Sequence, residues 1–241
     1  MSIKKMYYIF CYLVVMALFF NIAVCAAVEE QRTIQTYGEA EITAQPDLVK
    51  ISISIETHSK SANEAAEENA RLANSVLKEL YEFGLLEENI KTSSYRLNSY
   101  RKWEKEDSQN EQEQVYFQAV NEIIIQTIQL DKAGNIIDLA VKAGANNINY
   151  INFELKDPTA LMLQALTMAT EHARQKADAI ARGAGLTIKQ LFNVREERTS
   201  YAPYRSQNTM LSREMVLGTA PTPISPDEVI IRATVVAEFT F

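Results

Sequence analysis

Apolar residues at every second position of two segments are the feature that most constrains the fold. In DLVKISISIE, residues 47–56, every odd-numbered position from 49 onward is valine or isoleucine, and the even-numbered positions are Lys, Ser or Glu. In EVIIRATVVAEFTF, residues 228–241, every odd-numbered position is apolar. Because successive side chains of a β-strand point to opposite faces, each segment predicts a strand with one buried face. Each strand therefore needs another layer of structure to cover that face.

Two long helices and a short one are predicted between the strands. The first begins with a capping box at Ser61 and Glu64 and ends at Gly84. A short helix over residues 134–143 follows, and Pro158 opens a long one that continues to about residue 184. Apolar residues at helical spacing predict the buried faces. These are Ala65, Leu72, Val76, Leu80 and Phe83 in the first helix, and Ala165, Ala169, Ala173, Ala177, Ile180, Ala181 and Ala184 in the last.

Further strands and two irregular segments complete the chain. TIQTYGEAEIT is expected to pair with the strand at 47–56 through a turn at Gln45-Pro46-Asp47. EKEDSQNEQEQ holds no apolar residue and predicts a long solvated hairpin loop. Residues 199–227 hold four of the six prolines and predict an irregular loop, either disordered or in contact with a partner through its Tyr and Met side chains. The remaining predicted strands lie near residues 90–103, 115–130, 148–157 and 188–197.

A repeated order of elements predicts the fold class. Strand, long helix, Gly-Leu, strand, loop, strand describes residues 48–130 and again residues 148–241. We therefore predict an α+β fold of two βαββ-like halves, at about residues 33–130 and 131–241. Helices are expected to pack on a mostly antiparallel sheet.

Residues 1–26 predict a secretory signal peptide. Two lysines precede an apolar run over residues 6–24, and cleavage is expected after the small residues Ala26 or Ala27. An uncleaved membrane anchor is the alternative. The remainder, residues 27–241, is predicted to be one extracytoplasmic domain located in the periplasm, in the cell envelope or outside the cell.

The cysteines and the net charge exclude several classes of function. Both cysteines, Cys11 and Cys25, lie in the leader, so a cleaved chain would carry no disulfide, thiolate nucleophile or Cys-ligated zinc. A lipidated Cys25 is disfavoured by the bulky Val24 before it. Without the leader, 22 basic residues face 31 acidic ones, a formal charge of −9. We expect no binding to nucleic acid, and membrane contact only through an uncleaved leader.

No pattern predicts a catalytic, cofactor or metal site. HARQKADAIARGAGL, residues 172–186, crowds His172 with charged neighbours, but their i,i+4 spacing is typical of a solvated helix face. A zinc helix would need His-Glu-x-x-His, and the only other histidine is His58, at a strand end. Gly-x-Ser-x-Gly and phosphate-binding glycine motifs are absent. Paired carboxylates could build a hydrolase or a calcium site, provided that they converge with a histidine in a concave pocket.

Aromatic residues flank the predicted hairpin loop. They could anchor an interface, although cross-strand packing is the preferred interpretation. The residues concerned are Tyr95, Tyr100, Trp103, Tyr116 and Phe117.

The ordered set of segments resembles the SIMPL domain family of mostly exported bacterial proteins, over nearly all of residues 33–241. The resemblance implies an extracytoplasmic α+β protein that tends to oligomerise, and it supplies no established catalytic residues. Roles in stress tolerance or envelope function have been suggested for members. The segments that carry the resemblance are GEAEITAQPDLVKISISIE, LYEFGLLEENIKTSSYRLN, NIIDLAVKAGANNINYINFELKD, ALTMATEHARQKADAIARGAGLTIKQLFNVRE and TPISPDEVIIRATVVAEFTF.

We therefore expect an exported, non-enzymatic protein without a cofactor, acting as a self-assembling envelope or extracellular scaffold or interaction protein. A homo-oligomer is expected because an open sheet leaves edge strands that must be covered, charged or paired. An additional protein partner is left open. The alternative is a carboxylate-based hydrolase or a metal-binding protein.

Overall fold

The computed structural model of the protein describes residues 32–107, 110–205, 222 and 224–241, and this part of the chain has the predicted α+β fold. Its strands form two antiparallel sheets, and helices pack on one face of each. The strands are β1 (Thr33–Ala44), β2 (Leu48–Ser59), β3 (Ile90–Asp107), β4 (Asn110–Thr127), β5 (Asn147–Glu154), β6 (Gln190–Ala202), β7 (Tyr204–Arg205) and β8 (Val229–Thr240). The helices are α1 (Ala62–Glu82), α2 (Ala133–Ala143) and α3 (Thr159–Gly183).

The larger sheet has the strand order β3-β4-β2-β5-β7 and contains the main core. The valine and isoleucine side chains of β2 at odd-numbered positions are fully buried beneath α1 and α2, as their alternation predicts. Gly144 ends α2 with a φ of 129°, a backbone conformation that favours glycine. The largest fully buried side chains of this core are Ile51, Ile53, Ile55, Leu80, Ile123, Ile125, Ile136, Ile137 and Phe153.

The smaller sheet has the order β1-β8-β6, and α3 covers one face of it. The alternation of β8 is confirmed, since its odd-numbered residues from Val229 to Phe239 are buried. The alanine stripe of α3 is also confirmed, at Ala165, Ala169, Ala173, Ala177 and Ala181. Ile180 and Ala184 were wrongly included in it. Ile180 lies one position away from the stripe, and Ala184 follows the end of the helix, so both are exposed.

Strand β1 and helix α3 approach each other at backbone distance. A β-carbon added to Gly38 would lie 1.8 Å from the carbonyl oxygen of Ala169 and 2.5 Å from the backbone nitrogen of Ala173. Beside this contact, the Thr36 hydroxyl donates a hydrogen bond of 2.8 Å to the Ala173 carbonyl. Glycine on the strand and alanine on the helix therefore permit a contact that larger side chains would prevent.

The predicted partner of β1 was wrong. Strand β1 pairs with β8 along its whole length, whereas both edges of β2 are occupied by β4 and β5. Residues 45–47 therefore carry the chain from one sheet to the other. Asp47 fixes this crossing, because its N–H donates to the Glu154 carbonyl at 3.0 Å and its carboxylate accepts the Lys156 N–H at 2.6 Å.

The prediction of a long hairpin loop was also wrong. Strands β3 and β4 continue through the polar sequence and remain paired as far as Asp107 and Asn110. Residues 108–109, at the tip, lie outside the described residues. A ribbon of this kind needs no apolar residues, because its backbone hydrogen bonds form whatever the side chains are.

Two local predictions need correction. The capping box does not form, because Ser61 makes no side-chain cap and the Glu64 carboxylate instead accepts a hydrogen bond of 2.6 Å from the Ser59 hydroxyl. The irregular segment 199–227 begins as regular structure, because the ladder with β8 carries β6 to Ala202 and β7 then pairs with β5. Residues 206–221 and 223 lie outside the described part.

The two sheets do not coincide with the two halves of the chain. The predicted order strand–helix–strand–strand is present as β2-α1-β3-β4 and as β5-α3-β6-β8, with the two-residue β7 inserted before β8. Strand β1, however, joins the sheet of β6 and β8, and β5 joins the sheet of β2 to β4. The halves therefore exchange strands.

The predicted signal peptide lies outside the described residues. Of the helices described above, each is too short or too polar to cross a bilayer.

Candidate functional site

His172, the most prominent candidate in the sequence, contacts an edge strand. Its side chain is exposed on α3, and its Nδ1 lies 2.9 Å from the carbonyl oxygen of Glu39 and 3.4 Å from the Glu39 nitrogen. One turn later, the Lys176 ammonium lies 4.0 Å from the ring centre of Tyr37. The side chains of His172 and Lys176 thus flank β1.

His58 belongs to a separate network at the end of β2. Its Nε2 lies 2.9 Å from a carboxylate oxygen of Glu56, and its Nδ1 lies 3.1 Å from the Tyr100 hydroxyl. The same carboxylate accepts hydrogen bonds from the side-chain amides of Gln118 and Asn147. His58 lies on β2 of the larger sheet, whereas His172 lies on α3 over the smaller sheet, and the two histidines share no contact partner among the described residues.

A polar network covers the face of the larger sheet opposite to α1 and α2. Glu122 accepts hydrogen bonds from the Ser52 hydroxyl at 2.8 Å and the Ser94 hydroxyl at 3.3 Å. The amide of Asn149 donates to Ser52 and to Ser54 at 2.9 and 2.8 Å. Ser52 and Ser54 are almost fully buried by their neighbours on the sheet. The sequence pattern places both serines on the solvated face, and the network became visible only once the strand neighbours were known.

A buried amide on α1 was missed as well. Asn69 is fully buried within the helix face predicted to be apolar, and its amide donates to the carbonyls of Ile55 and Ala119 at 2.8 and 3.0 Å. Its side-chain oxygen has no hydrogen-bond partner among the described residues. Asn69 therefore ties α1 to the backbones of β2 and β4 through polar contacts. The spacing of apolar residues did not indicate that Asn69 is buried, because the polar side chain of an Asn in a helix is usually expected to be exposed.

The aromatic residues of the β3–β4 hairpin divide between its two faces. On one face, Tyr100 stacks on Tyr116 with ring centres 5.7 Å apart, which is the cross-strand packing preferred from the sequence. On the other face, Tyr95 and Trp103 are exposed, and Trp103 keeps 65% of its surface accessible. Leu97 and Val115 are exposed beside them. The hairpin therefore presents an apolar strip that no described residue covers.

Strand β6 is a second exposed apolar element. Leu191, Phe192 and Val194 retain 45%, 52% and 45% of their accessible surface, because α3 packs mainly on β1 and β8 and touches this strand only slightly. The sequence predicted the strand near residues 188–197, but it carried no indication that α3 would leave it open.

The described ends of the segment 199–227 are anchored to the body of the protein. The Tyr201 hydroxyl accepts the Leu155 N–H at 2.6 Å, and burial raises the pKa of this phenol. Tyr204 packs against Phe153 with ring centres 6.2 Å apart. Thr222 donates its N–H and hydroxyl to the Asp138 carboxylate at 3.1 and 2.6 Å. The segment is thus attached to β5 on one side and to α2 on the other.

Metal and pocket geometry can be assessed for the described part of the chain. There, no three His, Cys, Asp or Glu side chains converge to hold a metal ion. A depression on the surface is lined by Leu86, Glu87 and Glu88, which belong to neither histidine network. Glu56 and His58 do approach each other, but on an open sheet face. This arrangement does not favour the hydrolase or metal-binding alternative.

The fold and these surfaces define a class of protein: an α+β protein of two antiparallel sheets with partly open faces and edges. The chain belongs to the SIMPL family, described as proteins of unknown function (DUF541), whose sequence profile matches residues 34–239. The resemblance seen in the sequence is thereby confirmed.

Named relatives are similar to the chain at about one quarter identity. The uncharacterized protein YggE of Edwardsiella ictaluri is 25% identical over 179 residues, covering 74% of this chain and 73% of the relative. YggE of Escherichia coli is 25% identical over 170 residues, covering 70% and 68%. The 26 kDa periplasmic immunogenic protein of Brucella melitensis is 24% identical over 161 residues, covering 66% and 64%. None of these three names specifies an enzymatic activity.

Proposed function

We propose that this protein is an exported, non-enzymatic SIMPL-family protein that self-associates and serves as a scaffold in the cell envelope or outside the cell. The observation that carries the proposal is the apolar surface on β6 and on the β3–β4 hairpin. Contiguous exposed apolar surface on a soluble domain commonly marks an interaction site. Its position on sheet-edge elements favours contacts between strands. A contribution to stress tolerance is the biological context implied by the family resemblance.

Export is supported by two independent observations. Residues 1–26 have the basic start, apolar run and small residues of a signal peptide. The Brucella relative is named a periplasmic protein. We therefore propose an extracytoplasmic location for this chain as well.

The absence of catalysis is proposed from the contacts of the titratable groups. Glu56, Glu122 and His58 direct their polar atoms at neighbouring side chains of the same sheet. His172 directs its Nδ1 at the backbone of β1. A general base or a nucleophile needs a polar atom directed at a space that a substrate can enter.

Self-association is tested by multi-angle light scattering on residues 27–241 over a range of micromolar concentrations. We expect a mass that is a multiple of the monomer, and we expect Phe192→Ser to lower it, since this substitution removes exposed apolar surface from β6. Leu163→Ser is the matched control, because Leu163 is 60% exposed on α3, away from both apolar surfaces. A single monomeric mass of a folded protein across the range would contradict the proposal.

Export is tested by N-terminal sequencing of the protein recovered from its host. We expect the sequence to begin at Ala27 or Val28. Recovery of an intact leader in the membrane fraction would favour the anchored form over the cleaved one.

A further inference from the structure

The smaller sheet has an outer face, which points away from α3. On β1 this face carries residues 35, 37, 39 and 41, and on β6 it carries residues 193, 195 and 198, all of them exposed. Strand β8 lies between them and contributes Thr234 and Val236, which are half-buried. The face is therefore three strands wide, with accessible side chains along both edges.

The acidic and basic side chains of this face lie on different strands. The β1 edge carries Glu39 and Glu41, and the β6 edge carries Arg195 and Arg198. The pairing register aligns these groups in rows. Thr234 lies opposite Glu39 on one side and opposite Arg198 on the other.

In the next row, Val236 lies between Tyr37 and Arg195. The ring of Tyr37 is already in contact with Lys176 of α3, so Arg195 is the charged member of this row. Within one subunit, Glu41 is already paired with Arg232 at 2.7 Å. Glu39 and Arg198 are separated by the width of β8, and neither forms an ion pair with a described residue. The face thus has one acidic edge and one basic edge whose charges are not neutralised by each other.

A face of this kind is complementary to itself in one orientation. A two-fold axis parallel to β8, lying between two stacked sheets, places the β1 edge of one copy over the β6 edge of the other and keeps each row at its own level. Glu39 then faces Arg198 of the second copy, and Val236 meets Val236. A two-fold axis perpendicular to the strands would instead place Glu39 and Glu41 over the acidic edge of the second copy.

We propose that the outer face of the smaller sheet binds the same face of a second copy of this chain through this parallel two-fold axis. Stacked sheets lie about 10 Å apart, a gap that a glutamate and an arginine side chain span together. Aligned packing of this type is common between antiparallel sheets. The inference rests on the proposed self-association and assigns one of its interfaces. Because exposed ion pairs are screened by salt, this contact weakens as ionic strength rises.

The decisive experiment is a charge swap between Glu39 and Arg198 in residues 27–241. Each single variant, Glu39→Arg or Arg198→Glu, places like charges opposite each other twice in a symmetric pair. We expect each to weaken this association by about tenfold at low salt. The double variant restores two opposite-charge pairs, and we expect it to associate within about twofold of the parent. Sedimentation equilibrium with circular dichroism as the folding check measures both effects.

Charge-matched controls and a crosslink make the result specific. Glu171→Arg and Arg174→Glu, on the exposed flank of α3, change the net charge equally and are expected to leave association unchanged. Residues 27–241 contain no cysteine, so a single Thr234→Cys can be probed with a short bis-maleimide. Thr234 lies on the proposed axis, so we expect a covalent dimer from it and none from Thr167→Cys on α3.

Each outcome separates this inference from the proposed function. If either single variant associates as well as the parent, the assignment of this face is wrong while self-association stands. The same conclusion follows if the double variant is weakened as much as the two single variants combined. A parent that remains monomeric at every concentration overturns both. A restored double variant together with a Thr234→Cys dimer supports both.

Discussion

Replacing Gly38 by alanine tests the closest contact in the protein. The added β-carbon would lie 1.8 Å from the Ala169 carbonyl oxygen and 2.5 Å from the Ala173 nitrogen, and both are backbone atoms of α3 that cannot rotate away. Strand β1 and α3 must therefore separate, which also stretches the hydrogen bond from Thr36 to the Ala173 carbonyl, now 2.8 Å long.

The expected loss of stability follows from these two terms. Overpacking a tight contact costs about 1–3 kcal/mol, and a weakened buried hydrogen bond adds about 1 kcal/mol. We expect the free energy of unfolding to fall by about 2–4 kcal/mol in total. Urea denaturation followed by circular dichroism should show a lower midpoint with an unchanged m-value, since little more surface is exposed on unfolding.

Gly183→Ala is the matched control for Gly38→Ala. Gly183 is the last residue of α3, and an added β-carbon there would meet no heavy atom within 4 Å. The same chemical change should therefore leave stability unchanged or raise it by up to about 1 kcal/mol, because alanine favours the helix. A Gly38→Ala protein as stable as the Gly183→Ala protein would refute the backbone contact between β1 and α3.

Three further substitutions test individual contacts. Ala177→Leu should cost about 1–3 kcal/mol in urea denaturation, because Ala177 is fully buried against β8, and an unchanged midpoint would mean that α3 faces another way. His172→Gln should change stability by no more than about 0.5 kcal/mol and leave any biological effect intact, whereas loss of function in a folded variant would make His172 a functional residue. Burial raises the pKa of Tyr201 in the folded state above its usual 10.0. The neutral phenol therefore stabilises the fold fully below pH 10.0, and this contribution is lost as the pH rises through the folded-state pKa. Tyr201→Phe should remove this part of the alkaline loss in denaturation curves at increasing pH, and an identical pH dependence in both proteins would argue against it.

The sequence located most elements because their signals are local. The alternation in β2 and β8, the alanine stripe of α3 and the glycine that ends α2 each depend on residues within one element. The prediction of a loop at residues 104–114 was wrong because it also relied on local composition. The polar composition predicts solvation, but β3 and β4 form their backbone hydrogen bonds without apolar residues.

The contacts of the candidate site could not be predicted from the sequence. His172 and His58 lie in different elements, and only the structure shows which groups each of them contacts. The network of Ser52, Glu122 and Asn149, however, joins three strands that are far apart in the sequence. Its members look like ordinary solvated positions until the strand neighbours are known.

What the sequence by itself determined is the type of each element and the face that each one buries, because hydrophobic periodicity acts over a few residues. Only the tertiary structure decided which strands are neighbours. It moved β1 to the sheet of β8, placed β5 beside β2, and left β6 largely uncovered by α3. These choices depend on contacts between distant segments, such as Gly38 against Ala169, in which the close fit of two backbones selects the partner. The open faces and edges from which the protein's function is proposed are therefore properties of the assembled sheets.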